Sequence, residues 1–313
     1  MSVISYAVQS RQKNIRLRST SGGTFSEIAR SFIRTGGCVC AAGYDEQGKV
    51  VHKLINTISE IDELCESKYV QSDISNSYIE AKKYLNEDRW VLYTGTPCQI
   101  SGLKSYLKKD YDKLICQDIV CHGVPSPGIW KKYMNYIRKK TRANITHVNF
   151  RFKNKSWQNY HFYMKLNNGQ TYDMPHQKNA YMRLFLKNII LRPSCYSCNY
   201  KGYKRESDIT LADFWGINNV FPEMNDDTGT SLIYIHSKKG ERIWTAIKQS
   251  ASYKEIDDAT VAKHNPSMFY STAKPIVRKN FFKKVTDKNI RFLATIYNYI
   301  TLLERIVRRL IHR

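Results

Sequence analysis

Short apolar runs alternate with amphipathic ones along most of the chain, and this alternation predicts an α/β fold. WVLYT (90–94) and LICQDIV (114–120) have the length and branching of buried strands. Each precedes a helix-like run, QISGLKSYLKK from Gln99 and GIWKKYMNYIRKK from Gly128. Upstream, YAVQS (6–10) is β-like and SEIARSFIRT (26–35) helical. GCVCAAGY, DEQG and KVVHKLI (37–55) read as a hairpin, and ISEIDELCES (58–67) as a helix capped at Ser59. Tyr78 to Asn86 is another helix. From Asn144 the period changes to two: THVNFRFKN and YHFYMKLNNGQTYDM alternate like an antiparallel sheet, with NNGQ as a turn. NAYMRLFLKNIIL (179–191) is helical, ITLADFWG (209–216) holds a strand ending at Asp213, and ERIWTAIKQS (241–250) is an amphipathic helix. The expected architecture is a mixed sheet with flanking helices, an antiparallel β section in the middle and a carboxyl-terminal amphipathic helix. The expected division is one domain over 1–280 and the basic helix over 281–313.

That last segment reads NIRFLATIYNYITLLERIVRRLIHR. Leu293, Ile296, Ile300, Leu303, Val307 and Leu310 recur at helical spacing, with Arg291, Arg305, Arg308, Arg309 and Arg313 mostly opposite and Glu304 as the acid. Two accounts stand: a helix packed on the domain with a solvated basic face, or one lying in the headgroup layer of an anionic membrane. Each basic residue near such a surface contributes on the order of 1 kcal/mol.

Composition narrows the class. The 313 residues are 42% hydrophobic and carry a formal charge of +23, which draws anionic partners: nucleic acid, anionic lipid, or phosphorylated cofactors and substrates. No nucleic-acid motif accompanies the charge, so nucleic acid is not the expected partner. No run of about 18 apolar residues is present, and the first residues lack the apolar core of a signal peptide. The expected location is the cytoplasm, or its membrane face if the basic helix anchors there.

In a reducing compartment, eight cysteines point to metal binding or burial rather than disulfides. Cys195-Tyr-Ser-Cys198 is a C-x-x-C pair stiffened by Pro193. Cys98 in GTPCQ and Cys121 in VCHGVPSP each stand between a strand-like and a helix-like run, where a parallel sheet forms ligand crevices. Four such thiols suit a 4Fe-4S cluster or a zinc ion. Cys38, Cys40, Cys65 and Cys116 sit in apolar or helical runs and read as buried small hydrophobes. In Ser19-Thr-Ser-Gly-Gly-Thr-Phe, Ser21, Gly22, Gly23 and Thr24 form a tight loop opening a helix, a setting for a phosphate group with Arg18 nearby, or an ordinary loop. Thr96 and Pro97 either border a ligand or only end the strand. Asp213 could orient a ligand, carry a proton, or cap a backbone. Lys153, Lys155 and Trp157 could meet an anionic planar substrate, although exposed sheet residues over one packed aromatic are the default. His122 reads as a structural group.

GTPCQ, CHGVPS, RPSCYSC and DITLADFWG, with SGGTF and SKYVQSD (67–73), resemble the coenzyme F-420 hydrogenase/dehydrogenase beta-subunit family of iron-sulfur flavoproteins, over about Ser19 to Gly240. The resemblance implies a 4Fe-4S cluster rather than zinc on Cys98, Cys121, Cys195 and Cys198. It implies FAD, or FMN, against the SGG loop, bordered by Lys68, Tyr69, Gln71, Ser72 and Thr96. The implied activity passes electrons between a one-electron carrier and an organic substrate. Many members carry an amino-terminal ferredoxin-like segment; no repeated C-x-x-C spacing occurs before Cys38. A separate ferredoxin or other electron-carrier protein is therefore expected as partner, with an anionic small molecule as substrate. Two other readings remain at this point: a zinc-stabilised basic nucleic-acid-binding protein, and a non-catalytic partner in a biosynthetic complex.

Overall fold

The structure, a computed structural model, describes residues 4–153 and 156–311, with side chains except at residue 258 and beyond 303. Its frame is an eight-stranded mixed sheet. The parallel centre consists of β2 (Cys38–Tyr44), β4 (Val91–Thr94), β5 (Leu114–Ile119) and β9 (Ile209–Asp213). β3 (Val50–Ile55) pairs antiparallel with β2 at one edge. On the other side, β10 (Ser231–Ile235), β1 (Ile4–Ser10) and β11 (Ala251–Ile256) add antiparallel strands. β4 is buried at all four positions and β5 at five of six, as strands covered on both faces must be.

Helices α2 (Thr24–Arg34) and α9 (Lys238–Ile247) help cover one face, where Ile28, Phe32, Leu92, Ile115 and Trp244 share a core. α4 (Ser77–Asn86) and α5 (Pro97–Leu107) cover the other around Tyr93, Ile100 and Cys116. A second, three-stranded antiparallel sheet comprises β6 (Ile145–Phe152), β7 (His161–Leu166) and β8 (Thr171–Pro175). It shares a core with α6 (Pro127–Thr141), α7 (Ala180–Leu186), α11 (Arg278–Lys284) and α12 (Ile290–Ile311), built on Trp130, Tyr133, Phe150, Tyr181 and Phe281.

Local chemistry moves several boundaries. Three further helices are short: α1 (Lys13–Arg18), formed by the basic stretch after β1 and burying Ile15, α8 (Ile217–Val220) and α10 (Asp258–His264). The cap expected at Ser59 is Thr57, whose side chain and the Glu60 carboxylate form a capping box ahead of α3 (Ile61–Leu64). α5 starts two residues before Gln99: Thr96 is its N-cap, Pro97 fills the first turn, and the Gln99 carboxamide accepts from Thr96 N at 2.9 Å. Cys98 therefore lies inside the first turn. α7 stops at Leu186 because Asn188 turns left-handed, with φ of 63°.

In α12, Ile290, Leu293, Ala294 and Tyr297 are buried in the core shared with α7 and α6, while Ile296, Ile300 and Leu303 are exposed. The stripe expected from Leu293 to Leu303 is thus divided between two faces. Lys155 and Arg313 lie outside the described residues, as do the side chains of Glu304, Arg305, Val307, Arg308, Arg309 and Leu310. Among the described residues, no helix is long and apolar enough to cross a membrane.

Candidate functional site

A cavity of about 590 Å³ opens beyond the carboxyl ends of β4, β5 and β9. Three segments that are distant in sequence meet there. The first is the Ser19–Thr24 loop. Gly23 has φ of 89° at the N-cap of α2, and a Cβ on Gly22 would lie 2.3 Å from the Val8 carbonyl oxygen and 2.7 Å from Ser231 N. Only glycine allows that approach. The Thr24 hydroxyl is buried and has no hydrogen-bond partner among the described residues, while Glu27, in the same turn, accepts from the Ser10 hydroxyl.

A lysine fastens this loop. Lys153 Nζ, at the end of β6, donates to the carbonyls of Arg16 at 2.8 Å, Ser21 at 2.9 Å and Thr228 at 2.6 Å. Burial and the neighbouring Arg151 charge push Lys153 down to about 7. Its three acceptors match the three N–H donors of an ammonium, which favours the charged form. Lys153 therefore acts on the loop, not as an exposed sheet residue. Gly22→Ala is expected to destabilise the protein by about 1–3 kcal/mol through the forced separation of the loop from β1 and β10. A thermal melt measures it; an unchanged midpoint would show that the loop is loosely held.

The second segment is Cys65–Ser72. Lys68 Nζ donates to the carbonyls of Cys65 at 2.6 Å and Glu63 at 3.0 Å, and burial lowers its pKa while raising that of Glu66. Ser67 donates to the Thr20 hydroxyl at 3.1 Å, tying this segment to the glycine loop. Tyr69 stacks on Phe185 with ring centroids 4.5 Å apart, and Ser72 Oγ accepts from Gln99 Nε2 at 2.9 Å.

The third segment carries the strand-end cysteines. Cys98 and Cys121 line the cavity; Cys195 and Cys198 do not. Cys195 lies in a 3-10 turn opened by Pro193, and its sulfur accepts from Val124 N at 3.3 Å, three residues past Cys121. Cys198 N donates to Ser271 Oγ at 2.9 Å. Burial pushes the Cys121 thiol up to about 12, opposed by the Lys201 ammonium and reinforced by the Cys98 and Cys195 thiols. Lys201 Nζ donates to the Cys121 carbonyl at 2.6 Å and feels Cys121, Cys198 and Cys195 together. The four thiols thus share one neighbourhood, and their donor chemistry suits an iron-sulfur cluster. Among the described residues, however, no three His, Cys, Asp or Glu side chains are gathered closely enough to hold a metal ion. Cys38, Cys40, Cys65 and Cys116 are buried, and burial raises their thiol pKa values.

Asp213 borders the cavity at the end of β9, committed to partners. It forms an ion pair with Arg151, a guanidinium only 1% exposed, and accepts from Trp157 Nε1 at 3.3 Å. Burial disfavours the Arg151 charge, yet the adjacent Asp213 carboxylate raises its pKa above the usual arginine range. The guanidinium carbon lies 4.6 Å from the Tyr160 ring centroid and 4.8 Å from that of Trp215, and Trp215 stacks on the fully buried Trp157 at 5.2 Å. Tyr160 and Trp215 line the cavity.

Of the expected site residues, Ser21, Gly23, Thr24, Lys68, Tyr69, Gln71, Ser72, Thr96, Cys98, Cys121 and Asp213 line this one cavity. Gly22 is buried behind it, donating to Ser231 Oγ at 3.0 Å. Arg18 does not reach it; it is exposed and paired with Asp62 at 2.8 Å. His122 borders the cavity with its ring nitrogen 2.6 Å from Asn188 Oδ1. Sequence reasoning missed His52, Gln117, Tyr160 and Trp215. His52 contacts the Thr94 carbonyl at 3.0 Å through Nε2, and burial lowers its pKa to about 4, so the ring is neutral. No local pattern distinguishes it from an ordinary strand residue.

Residues 88–260, more than half of the chain, match the family model for the carboxyl terminus of the coenzyme F420 hydrogenase/dehydrogenase beta subunit. A chain of the F420-reducing [NiFe] hydrogenase complex from Methanosarcina barkeri is similar in fold, with a TM-score of 0.53 and 17% identity over 97% of this chain and 92% of that one. No curated protein matches the sequence.

Proposed function

The chain belongs to the coenzyme F420 hydrogenase/dehydrogenase beta-subunit family, and from that premise we propose that it is an oxidoreductase holding a flavin and a 4Fe-4S cluster at the cavity beyond β4, β5 and β9. The observation that carries this reading is the meeting of the Ser19–Thr24 loop, the Cys65–Ser72 segment, Cys98 and Cys121 at one cavity. When bound, a cluster exchanges single electrons and a flavin one or two, so the pair would couple a one-electron carrier such as ferredoxin to an organic substrate.

Cys98, Cys121, Cys195 and Cys198 are the proposed cluster ligands. The amino-terminal N–H groups of α2 and the unpartnered Thr24 hydroxyl suit the phosphates of FAD or FMN. Lys153 keeps the loop in place by its three carbonyl contacts. The segment from Lys68 to Ser72, together with Thr96, would border the planar ring system. Tyr160 and Trp215, both packed against the Arg151 guanidinium, line the part of the cavity where an anionic small-molecule substrate would lie. Asp213 lies at the same border, where its pairing with Arg151 favours an orienting role over that of a free proton carrier.

Acid extraction of anaerobically purified protein tests the flavin half of the reading. Release of FAD or FMN near one per chain is expected. A folded protein that neither contains flavin nor takes it up would exclude that half.

A further inference from the structure

One face of α12 is committed to the core; another carries apolar side chains into the open. Ile290, Leu293, Ala294, Tyr297 and Thr301 are buried. Phe292, Ile296, Tyr299 and Leu303, spaced by four, three and four, form a separate stripe and are 65%, 36%, 62% and 61% exposed. A helix that packs through one face gains nothing in folding from a second apolar stripe, so this stripe marks an interaction surface. The chain beside it is basic: Lys279, Lys283, Lys284, Lys288 and Arg291 are all exposed. Asp287, the acid among them, is engaged by Asn135 at 3.3 Å and Lys139 at 3.4 Å.

The first turn of α12 also borders a small cleft. About 50 Å³ in volume, it is lined by Tyr133, Tyr136, Lys140, Tyr172, Lys178 and Arg291, with Met174 and Ala180 completing the lining. Three cations and three phenols surround it, and among the described residues no carboxylate does. That donor set suits a phosphate group.

We propose that this face of α12 lies in the headgroup layer of an anionic lipid membrane, with the stripe inserted and a headgroup phosphate taken by the cleft. Charge complementarity selects this occupant: a lone apolar stripe would fit a protein groove as well, but one that follows directly on an exposed basic run ending at Arg291 fits anionic lipid. Phe292 and Tyr299 add aromatic rings of the kind that favour the membrane–water interface. The proposal does not depend on the redox reading.

Co-sedimentation of the full chain with phosphatidylglycerol–phosphatidylcholine vesicles, and with phosphatidylcholine vesicles alone, tests it. Binding is expected to the anionic vesicles only, and to weaken with added salt. The double variant Phe292→Ser and Leu303→Ser, both sites exposed and outside the core, is expected to bind at least about tenfold more weakly with an unchanged melting curve. Arg291→Ala with Lys140→Ala is expected to lower binding by about tenfold as well. Absence of binding to anionic vesicles, or equal binding by both variants and the parent, would overturn the proposal. So would release by inorganic phosphate equimolar with the lipid, which would assign the cleft to free phosphate. A parent that is dimeric by light scattering, beside a monomeric Phe292→Ser and Leu303→Ser variant, would assign the stripe to a second copy of the chain.

Discussion

Replacing any one of Cys98, Cys121, Cys195 or Cys198 with Ser is expected to remove most of the iron from anaerobically purified protein, whereas Cys65→Ser leaves it in place. The first four lie in one neighbourhood: the Lys201 ammonium acts on Cys121, Cys195 and Cys198, and Cys121 in turn feels Cys98. Cys65 is buried, its sulfur 3.1 Å from the Ser26 hydroxyl. An alcohol in place of a thiolate removes a soft ligand that iron-sulfur clusters require. Iron is counted per chain by colorimetric assay, with the melting curve of each variant as control. Full iron content in the four single variants would refute the ligand assignment.

The second large effect falls on stability. Arg151→Met is expected to cost about 3–5 kcal/mol, because it leaves the mostly buried Asp213 carboxylate, 17% exposed, without its ion-pair partner. Arg151 also fills the space between the Tyr160 and Trp215 rings, so its removal loosens the cavity wall. Denaturant unfolding of parent and variant measures the difference. The pair is better examined with Arg151→Met and Asp213→Asn together. If the ion pair is the cause, the double variant should be less impaired than the sum of the single ones. A loss below about 1 kcal/mol for Arg151→Met would mean that water reaches the carboxylate freely.

The elements were legible in the sequence where one period dominates. WVLYT and LICQDIV became β4 and β5, short, largely apolar runs covered on both faces, with Gln117 and Asp118 of β5 buried against Thr94 and Arg205. The turn in NNGQ and the alternation around it became the second sheet. Boundaries failed where a side chain further along decided them: Gln99 reaching back to Thr96 moves the start of α5, and Asn188 ends α7. Of the candidate site, the glycine loop was legible because it opens a helix, and Cys98 and Cys121 because each follows a strand.

Other features of the site were not legible because they are made by distance in sequence. Asp213 stood out as an acid at a strand's end, but its partner Arg151, 62 residues away, is in isolation an ordinary polar strand residue. Lys153 looked like an exposed sheet residue until the second sheet folded it against the carbonyls of Arg16, Ser21 and Thr228. The two faces of α12 show the same limit. Helical spacing identifies apolar residues, but only the packing against α7 and α6 separates Leu293, in the core, from Leu303, outside it.

The visible absorption spectrum of the anaerobically purified chain, with iron and acid-labile sulfide measured on the same sample, tests the central claim most directly. Flavin bands over a broad brown absorption that bleaches with dithionite, with about four iron and four sulfide per chain, are the predicted result. A folded, colourless protein that contains zinc or no metal would contradict the account.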